Sequence, residues 1–189
     1  MSCEHTLYYR LIASSLGTVA VVWLFEEDSP MIVDVQLPRN NVSTMERLRE
    51  YHGDVTEGSH KDLDEICNCI GAFLEGTCVD FPVDCLGVDR CYDFQKRVLR
   101  ETMRIPRGSV TSYGDLARRI SAPRAARAVG SALAKNPFPL IVPCHRVVKA
   151  NGFIGQFGGE TGLGLKKDLL ELEGVQIDDR GMIAPAFFW

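Results

Sequence analysis

The sequence predicts an α/β chain in two parts: a small three-stranded sheet with helices over residues 1–88, then a mostly helical segment over 89–189 carrying a helix-turn-helix and a wing. Three observations predict it. Residues 7–14, 17–25 and 31–37 are short runs rich in β-branched and aromatic side chains, separated by turn residues. Beyond residue 44, apolar side chains recur at helical spacing. Charge then reverses near residue 88. Residues 1–88 hold 5 Lys/Arg against 15 Asp/Glu, residues 89–150 hold 13 against 4, and residues 151–189 hold 3 against 6, within a formal net charge of −4.

The three runs read as a strand meander. Residues 44–52 and 61–74 read as helices, the second with Leu63, Ile66, Ile70, Phe73 and Leu74 on one face and Gly76 just past its end. Residues 77–92, broken by Pro82 and Gly87, read as a connection. Asp93 caps a helix whose apolar positions are Phe94, Val98, Leu99 and Met103, stopped at Pro106-Arg107-Gly108. Residues 110–120 form a short helix, and Pro123 suits the first position of the next, residues 124–135, which Asn136-Pro137 stops. Two short helices across a tight turn describe a helix-turn-helix. The second helix carries Arg124 and Arg127 among small residues (Ala125, Ala126, Ala128, Gly130, Ser131), which let a backbone approach another surface closely. Asn151-Gly152 between apolar pairs is a hairpin signal, and a hairpin behind a helix-turn-helix is a wing. Glycines 155, 158, 159, 162 and 164 then form a loop without phosphate-cradling spacing, and residues 165–172 form the last helix.

Composition narrows the function. With 189 residues and 46% hydrophobic content the chain suits one large domain or two small ones. It holds no run of 18 apolar residues, and its N-terminus lacks the pattern of a secretion signal, so a protein of the cytoplasm, or of the nucleus in a eukaryote, is expected. Seven cysteines, an odd number without a CxxC…CxxC pattern, predict an intracellular, mostly reduced protein with no zinc site; Cys67/Cys69 and Cys85/Cys91 are the pairs that could bridge if the source is a hyperthermophile, where intracellular disulfides occur. The cationic stretch 89–150 makes a field suited to phosphates.

The chemistry centres on Ile141-Val142-Pro143-Cys144-His145-Arg146-Val147-Val148. A thiolate is a strong nucleophile, and a nearby imidazolium or guanidinium lowers its pKa. Pro143 favours a rigid, extended crossing over a helix interior. In an extended segment Cys144 and His145 point to opposite sides, so proton transfer between them needs a bridging water or a sharp bend. A buried structural cysteine is the ordinary alternative, but placing His and Arg beside it in an apolar run is costly unless both are used.

Residues 93–174 resemble the O6-alkylguanine-DNA alkyltransferases, also called methylated-DNA–protein-cysteine methyltransferases. The likeness rests on Val110-x-Ser112-Tyr113-Gly114-x-Leu116-Ala117, Arg127-Ala128-Val129-Gly130, Asn136-Pro137, the Pro143-Cys144-His145-Arg146-Val147 run, and Leu170-x-x-Glu173-Gly174. The resemblance implies a ribonuclease-H-like N-terminal domain over 1–88 and a winged helix-turn-helix domain over 89–189. It implies a monomer that flips O6-alkylguanine, or O4-alkylthymine, out of double-stranded DNA bound through the minor groove, and that takes the alkyl group once and irreversibly on Cys144, without metal or cofactor.

The resemblance also assigns roles. His145, oriented by Glu173, acts as base through a water. Tyr113 protonates the departing guanine and presses on the 3′ phosphate, Arg127 fills the gap in the base stack, and Asn136 braces the cysteine turn. Arg124, Ala125, Ala126, Gly130 and Ser131 line the DNA contact. Val147, Val148, Phe157 and Gly158 line the base pocket; Gly158 stands where some members carry a serine. Two other readings of the residues compete: a cysteine hydrolase, which normally brings its histidine from far away in sequence, and a winged-helix regulator with a structural or redox-sensing cysteine.

Overall fold

A computed structural model describes residues 6–39, 42–155 and 162–189, and the chain divides into two units, Met1–Gly87 and Val88–Trp189. In the first unit β1 (Leu7–Ile12), β2 (Val19–Glu26) and β3 (Ser29–Gln36) form the antiparallel meander. Glu27 and Asp28 turn the β2–β3 corner at φ 49° and 64°, the left-handed pair that a two-residue hairpin requires. Val19 to Leu24 are buried without alternation, because β2 is covered on both faces.

The sheet has four strands and not the expected three. β4 (Val55–Glu57) runs parallel to β1, giving the order β3-β2-β1-β4. It is three residues long and mostly exposed, so no apolar pattern marks it. α1 (Thr44–His52) starts where the Glu46 carboxylate accepts from the Ser43 N–H at 3.2 Å, and its Leu48 packs with Ala20 and Val22. α2 (Lys61–Leu74) buries Leu63, Ile66, Cys67, Ile70, Phe73 and Leu74 and packs on β1. The described cysteines, Cys67, Cys69, Cys78, Cys85, Cys91 and Cys144, are all free thiols.

In the second unit α3 (Asp93–Thr102), α4 (Tyr113–Arg119) and α5 (Ala126–Ala134) pack on one another. Two side chains of α3 tie down the ends of the others: Gln95 donates to the Ala132 and Lys135 carbonyls at 3.1 and 2.9 Å, and Arg97 donates to the Ile120 carbonyl. Several expected starts shift: α4 opens at Tyr113 and not at residue 110, and the last helix at Gly162 and not at residue 165. Tyr92 stands at the N-cap of α3, with Asp93 as its first helical residue. α5 begins at Ala126, because Ser121 turns at φ 57° and a further turn, Ala125 N–H to the Ala122 carbonyl at 2.9 Å, keeps Pro123, Arg124 and Ala125 outside the helix.

β5 (Thr111–Ser112) pairs in parallel with β6 (Val147–Val148). The expected wing is a turn only. Lys149 N–H meets the Phe153 carbonyl at 3.0 Å, but Phe153 then bridges Met182 and Ile154 N–H goes to the Gly181 carbonyl at 3.0 Å. The tail takes the edge that a returning hairpin arm would have used. It continues to Val110, whose N–H donates to Phe187 and whose carbonyl accepts from Trp189, while the Arg119 guanidinium lies 3.6 Å from the Trp189 ring centroid. Val110, Val148, Ile154, Leu170, Val175 and Ile183 form the core beneath. α6 (Gly162–Leu172) ends at Glu173, and Gly174, at φ 87°, supplies the left-handed residue that closes it. No described helix is long and apolar enough to cross a membrane.

Candidate active site

β6 and α6 between them fix the reactive groups. Ahead of β6, the carbonyl of Phe138 accepts from Val142 N–H at 2.8 Å and buried Leu140 is held at φ 73°. A bulky residue in this region costs on the order of 1–3 kcal/mol and marks a turn fixed by its surroundings. Pro143, at ψ 63°, leads into a single 3-10 turn over Cys144–Arg146 where an extended crossing was expected. The chain therefore bends at the Cys144–His145 pair.

Cys144 is 7% exposed. Asn136 braces it from three directions: its Nδ2 donates to Cys144 Sγ and to the Val142 carbonyl, both at 3.1 Å, and its Oδ1 accepts from Phe138 N–H at 3.0 Å. An N–H aimed at sulfur favours the thiolate. Burial still pushes the thiol pKa up overall, against the pull of Asn136 and of the Lys166 charge. The sequence sets two groups able to carry positive charge, His145 and Arg146, directly after the thiol. Arg146 is committed elsewhere, and burial holds His145 neutral, its pKa lowered despite the opposing hydrogen bond and charge of Glu173.

His145 is fully buried, with Nε2 2.8 Å from Glu173 Oε1. A carboxylate only accepts, so Nε2 carries the proton and Nδ1 is the basic nitrogen. Glu173 also accepts from Arg146 Nε at 2.9 Å and Nη2 at 2.8 Å and from Gly108 N–H at 3.2 Å. Burial would raise its pKa, but hydrogen bonds and charge from His145 and Arg146 outweigh that and hold it at about 2. Arg146 Nη1 donates to the Ile105 carbonyl at 2.6 Å, tying the triad to the end of α3.

Tyr113 opens α4, directly after β5. Burial first and the charge on Cys144 second raise its pKa, so its hydroxyl stays protonated and faces the thiol's field. Its ring lies under α5: a Cβ at Gly130 would sit 3.8 Å from Tyr113 Cδ1. On α5 the buried positions are Val129, Ala132 and Leu133, while Arg127, Ala128, Ser131 and Ala134 face solvent, with Arg124 exposed just ahead. Ala125, Ala126 and Gly130 are half-buried. Val147 and Val148 are fully buried in β6. Phe157 and Gly158 lie outside the described residues. Among the described residues no group of three or more His, Cys, Asp or Glu side chains is arranged to hold a metal ion.

Two contributors escaped the sequence reading. Arg146 was read as a cation for the thiol and is the clamp on Glu173. Lys166 was not singled out at all, yet it is fully buried, with Nζ donating to the Val147 carbonyl at 2.7 Å. Its signal was the spacing 166, 169, 170, 173, which puts Lys166 on the buried face of α6 with Leu169 and Leu170.

Fold and site together define a class: an α/β protein that carries one braced, buried thiol, backed by a histidine–carboxylate pair, beside a short helix with a small-residue, cationic outer face. Residues 93–175 match the sequence profile described as 6-O-methylguanine DNA methyltransferase, DNA binding domain. A methylated-DNA–protein-cysteine methyltransferase of Methanothermobacter thermautotrophicus is 37% identical over 134 residues, 71% of this chain and 73% of that protein. The crystal structure of Mycobacterium tuberculosis O6-methylguanine methyltransferase superposes with a TM-score of 0.70 at 33% identity, covering 89% of this chain and 93% of that one. That of Mycobacterium tuberculosis OGT in complex with DNA gives 0.68 at 34% identity, covering 88% and 92%. The chain belongs to the methylated-DNA–protein-cysteine methyltransferase family.

Proposed function

We propose that the protein repairs DNA by moving the alkyl group of O6-alkylguanine, and of O4-alkylthymine, onto Cys144 in one irreversible displacement. One observation carries the reading: Asn136 points an N–H at the Cys144 sulfur from 3.1 Å, and the next residue, His145, is fixed to Glu173 at 2.8 Å. The sulfur attacks the alkyl carbon, the S–C bond forms and the C–O6 bond breaks. The thiol proton passes through a water to His145 Nδ1, and Tyr113 gives its proton to the departing guanine, to be restored from the imidazolium. A thioether has no easy leaving path, so each molecule acts once and needs no cofactor.

The lesion lies inside the stack, and extruding it costs a few kcal/mol. The outward face of α5 suits a minor groove, with Arg127 entering the vacated space, Arg124 and Ser131 on phosphates, and Ala125, Ala126 and Gly130 permitting close approach. α4 and α5 thus act as a helix-turn-helix, the Lys149–Phe153 turn as a short wing, and residues 1–88 as a ribonuclease-H-like domain. The β6 backbone at Val147 and Val148 reads the base, and Phe157 and Gly158 complete the pocket wall. The protein works as a monomer wherever chromosomal DNA lies, the cytoplasm of a prokaryote or the nucleus of a eukaryote.

Incubation with duplex DNA bearing O6-methylguanine, followed by digestion and peptide mass spectrometry, tests the assignment. One methyl on the Cys144 peptide is expected. A methyl on any other cysteine, or none, contradicts it. A cysteine hydrolase would show many turnovers, and a regulator no gain in mass.

A further inference from the structure

Lys166 is the buried ionisable group that the alkyl-transfer scheme leaves without a task. It sits on the inner face of α6, fully buried, and α6 packs on the Cys144–Arg146 turn. Its Nζ donates to the Val147 carbonyl at 2.7 Å and so holds the residue three positions after the thiol. An ammonium is expensive to bury, and a carbonyl, its hydrogen-bond partner among the described residues, offsets only part of that cost, so packing alone does not explain a lysine where a methionine of similar length would fit.

The surrounding charges show what it faces. Arg146 saturates Glu173 and is itself spent on that pair. His145 is neutral, chiefly through burial, with the charge of Lys166 acting in the same direction. Tyr113, across from the thiol on α4, is protonated. Lys166 is therefore the cation whose field reaches Cys144, and the influence is mutual: Lys166 draws the thiol pKa down, and a thiolate draws the lysine pKa up from the value of about 8 to which burial lowers it.

We infer that Lys166 is a positioning residue of the transfer reaction: its ammonium, buried behind the Cys144–Arg146 turn and bonded to the Val147 carbonyl, is the counter-charge for the Cys144 thiolate. The same ammonium also fixes the Val147 carbonyl, so one side chain ties the nucleophile's counter-charge to the strand that follows it. This inference rests on Cys144 being the alkyl acceptor. It also accounts for how a thiol whose pKa is raised by burial ionises as the substrate arrives: the counter-charge is already in place and no solvent ion is required.

The test compares wild type with Lys166→Met, which removes charge and hydrogen bond, and Lys166→Gln, which removes the charge and keeps a donor for the Val147 carbonyl. Iodoacetamide labelling of the Cys144 peptide is followed against pH, without DNA, beside single-turnover methyl transfer. Both variants are expected to move the inflection of Cys144 labelling upward by about one pH unit or more, and so to slow labelling and transfer about ten-fold near neutral pH. A Lys166→Gln profile that matches wild type would show that only the hydrogen bond matters, and would overturn the inference. So would unshifted profiles in both variants.

Should neither variant fold, the coupling is read in the native sequence by 13Cε NMR titration of Lys166 before and after methylation of Cys144 with methyl iodide. A fall in the lysine pKa once the thiol is capped is expected, and an unchanged value overturns the proposal. A wild type that labels as expected but takes no methyl from DNA would instead sink the repair reading and leave the coupling standing.

Discussion

At the scale of single residues, the site is a set of buried charges that answer one another. Glu173 is held at about 2, against an ordinary 4.5, by His145 and Arg146. A carboxyl depressed in the folded state adds stability that is present above 4.5 and lost as pH falls toward 2, at most about 3 kcal/mol. Glu173→Gln should therefore be less stable than wild type above pH 5, with the gap closing toward pH 2; urea unfolding across that range checks it, and a gap independent of pH would contradict it. Lys166 runs the other way. Lowered from 10.5 to about 8 by burial, its ammonium costs the fold about 3 kcal/mol below pH 8, a cost that fades as pH rises to 10.5. Lys166→Met should thus melt higher than wild type at pH 7, with the advantage shrinking between pH 8 and 10.5. Asn136→Ala removes three hydrogen bonds at once; a loss of about 1–3 kcal/mol in stability and a clear fall in single-turnover rate are expected, and an unchanged rate would remove Asn136 from the mechanism.

At the scale of elements, α5 is the one on which the DNA reading depends. Arg127→Ala should slow repair of a duplex oligonucleotide much more than reaction with a free O6-alkylguanine base, because only the duplex has a stack to refill; equal slowing on both would argue against that role. The elements also show what a sequence carries and what it conceals. α1 and α2 were legible to the residue; in α2 the apolar side chains at helical spacing and Gly76 just past its end are local signals. The motif around Cys144 placed Asn136, His145 and Glu173 together through resemblance, and the structure brings all three to one turn. β4 was not legible, since three residues with one half-buried side chain acquire strand form only by pairing with β1. The returning arm of the hairpin was concealed for the same long-range reason: Phe153 and Ile154 have two possible partners, and they pair with the tail around Gly181 and Met182. Lys166 stayed hidden because a lysine is ordinarily read as solvated.

At the scale of the whole chain, charge is divided so that solubility and recognition fall to different stretches. The acidic residues 1–88 and the cationic residues 89–150 predict DNA affinity that weakens by more than about ten-fold between roughly 50 and 200 mM salt, as released counterions demand. Fluorescence anisotropy with duplex DNA measures the slope, and a salt-independent affinity would rule out phosphate contacts as its source. Cys144→Ser should bind the same duplex with wild-type affinity while transferring nothing, which separates recognition from chemistry. The central claim is that one sulfur is consumed by one lesion. The direct measurement is a titration of a fixed amount of O6-methylguanine duplex with increasing protein, read as guanine restored at completion. The account predicts a straight rise to full repair at one protein molecule per lesion, and no repair with Cys144→Ser. Complete repair by a small fraction of an equivalent, or by the serine variant, would contradict it.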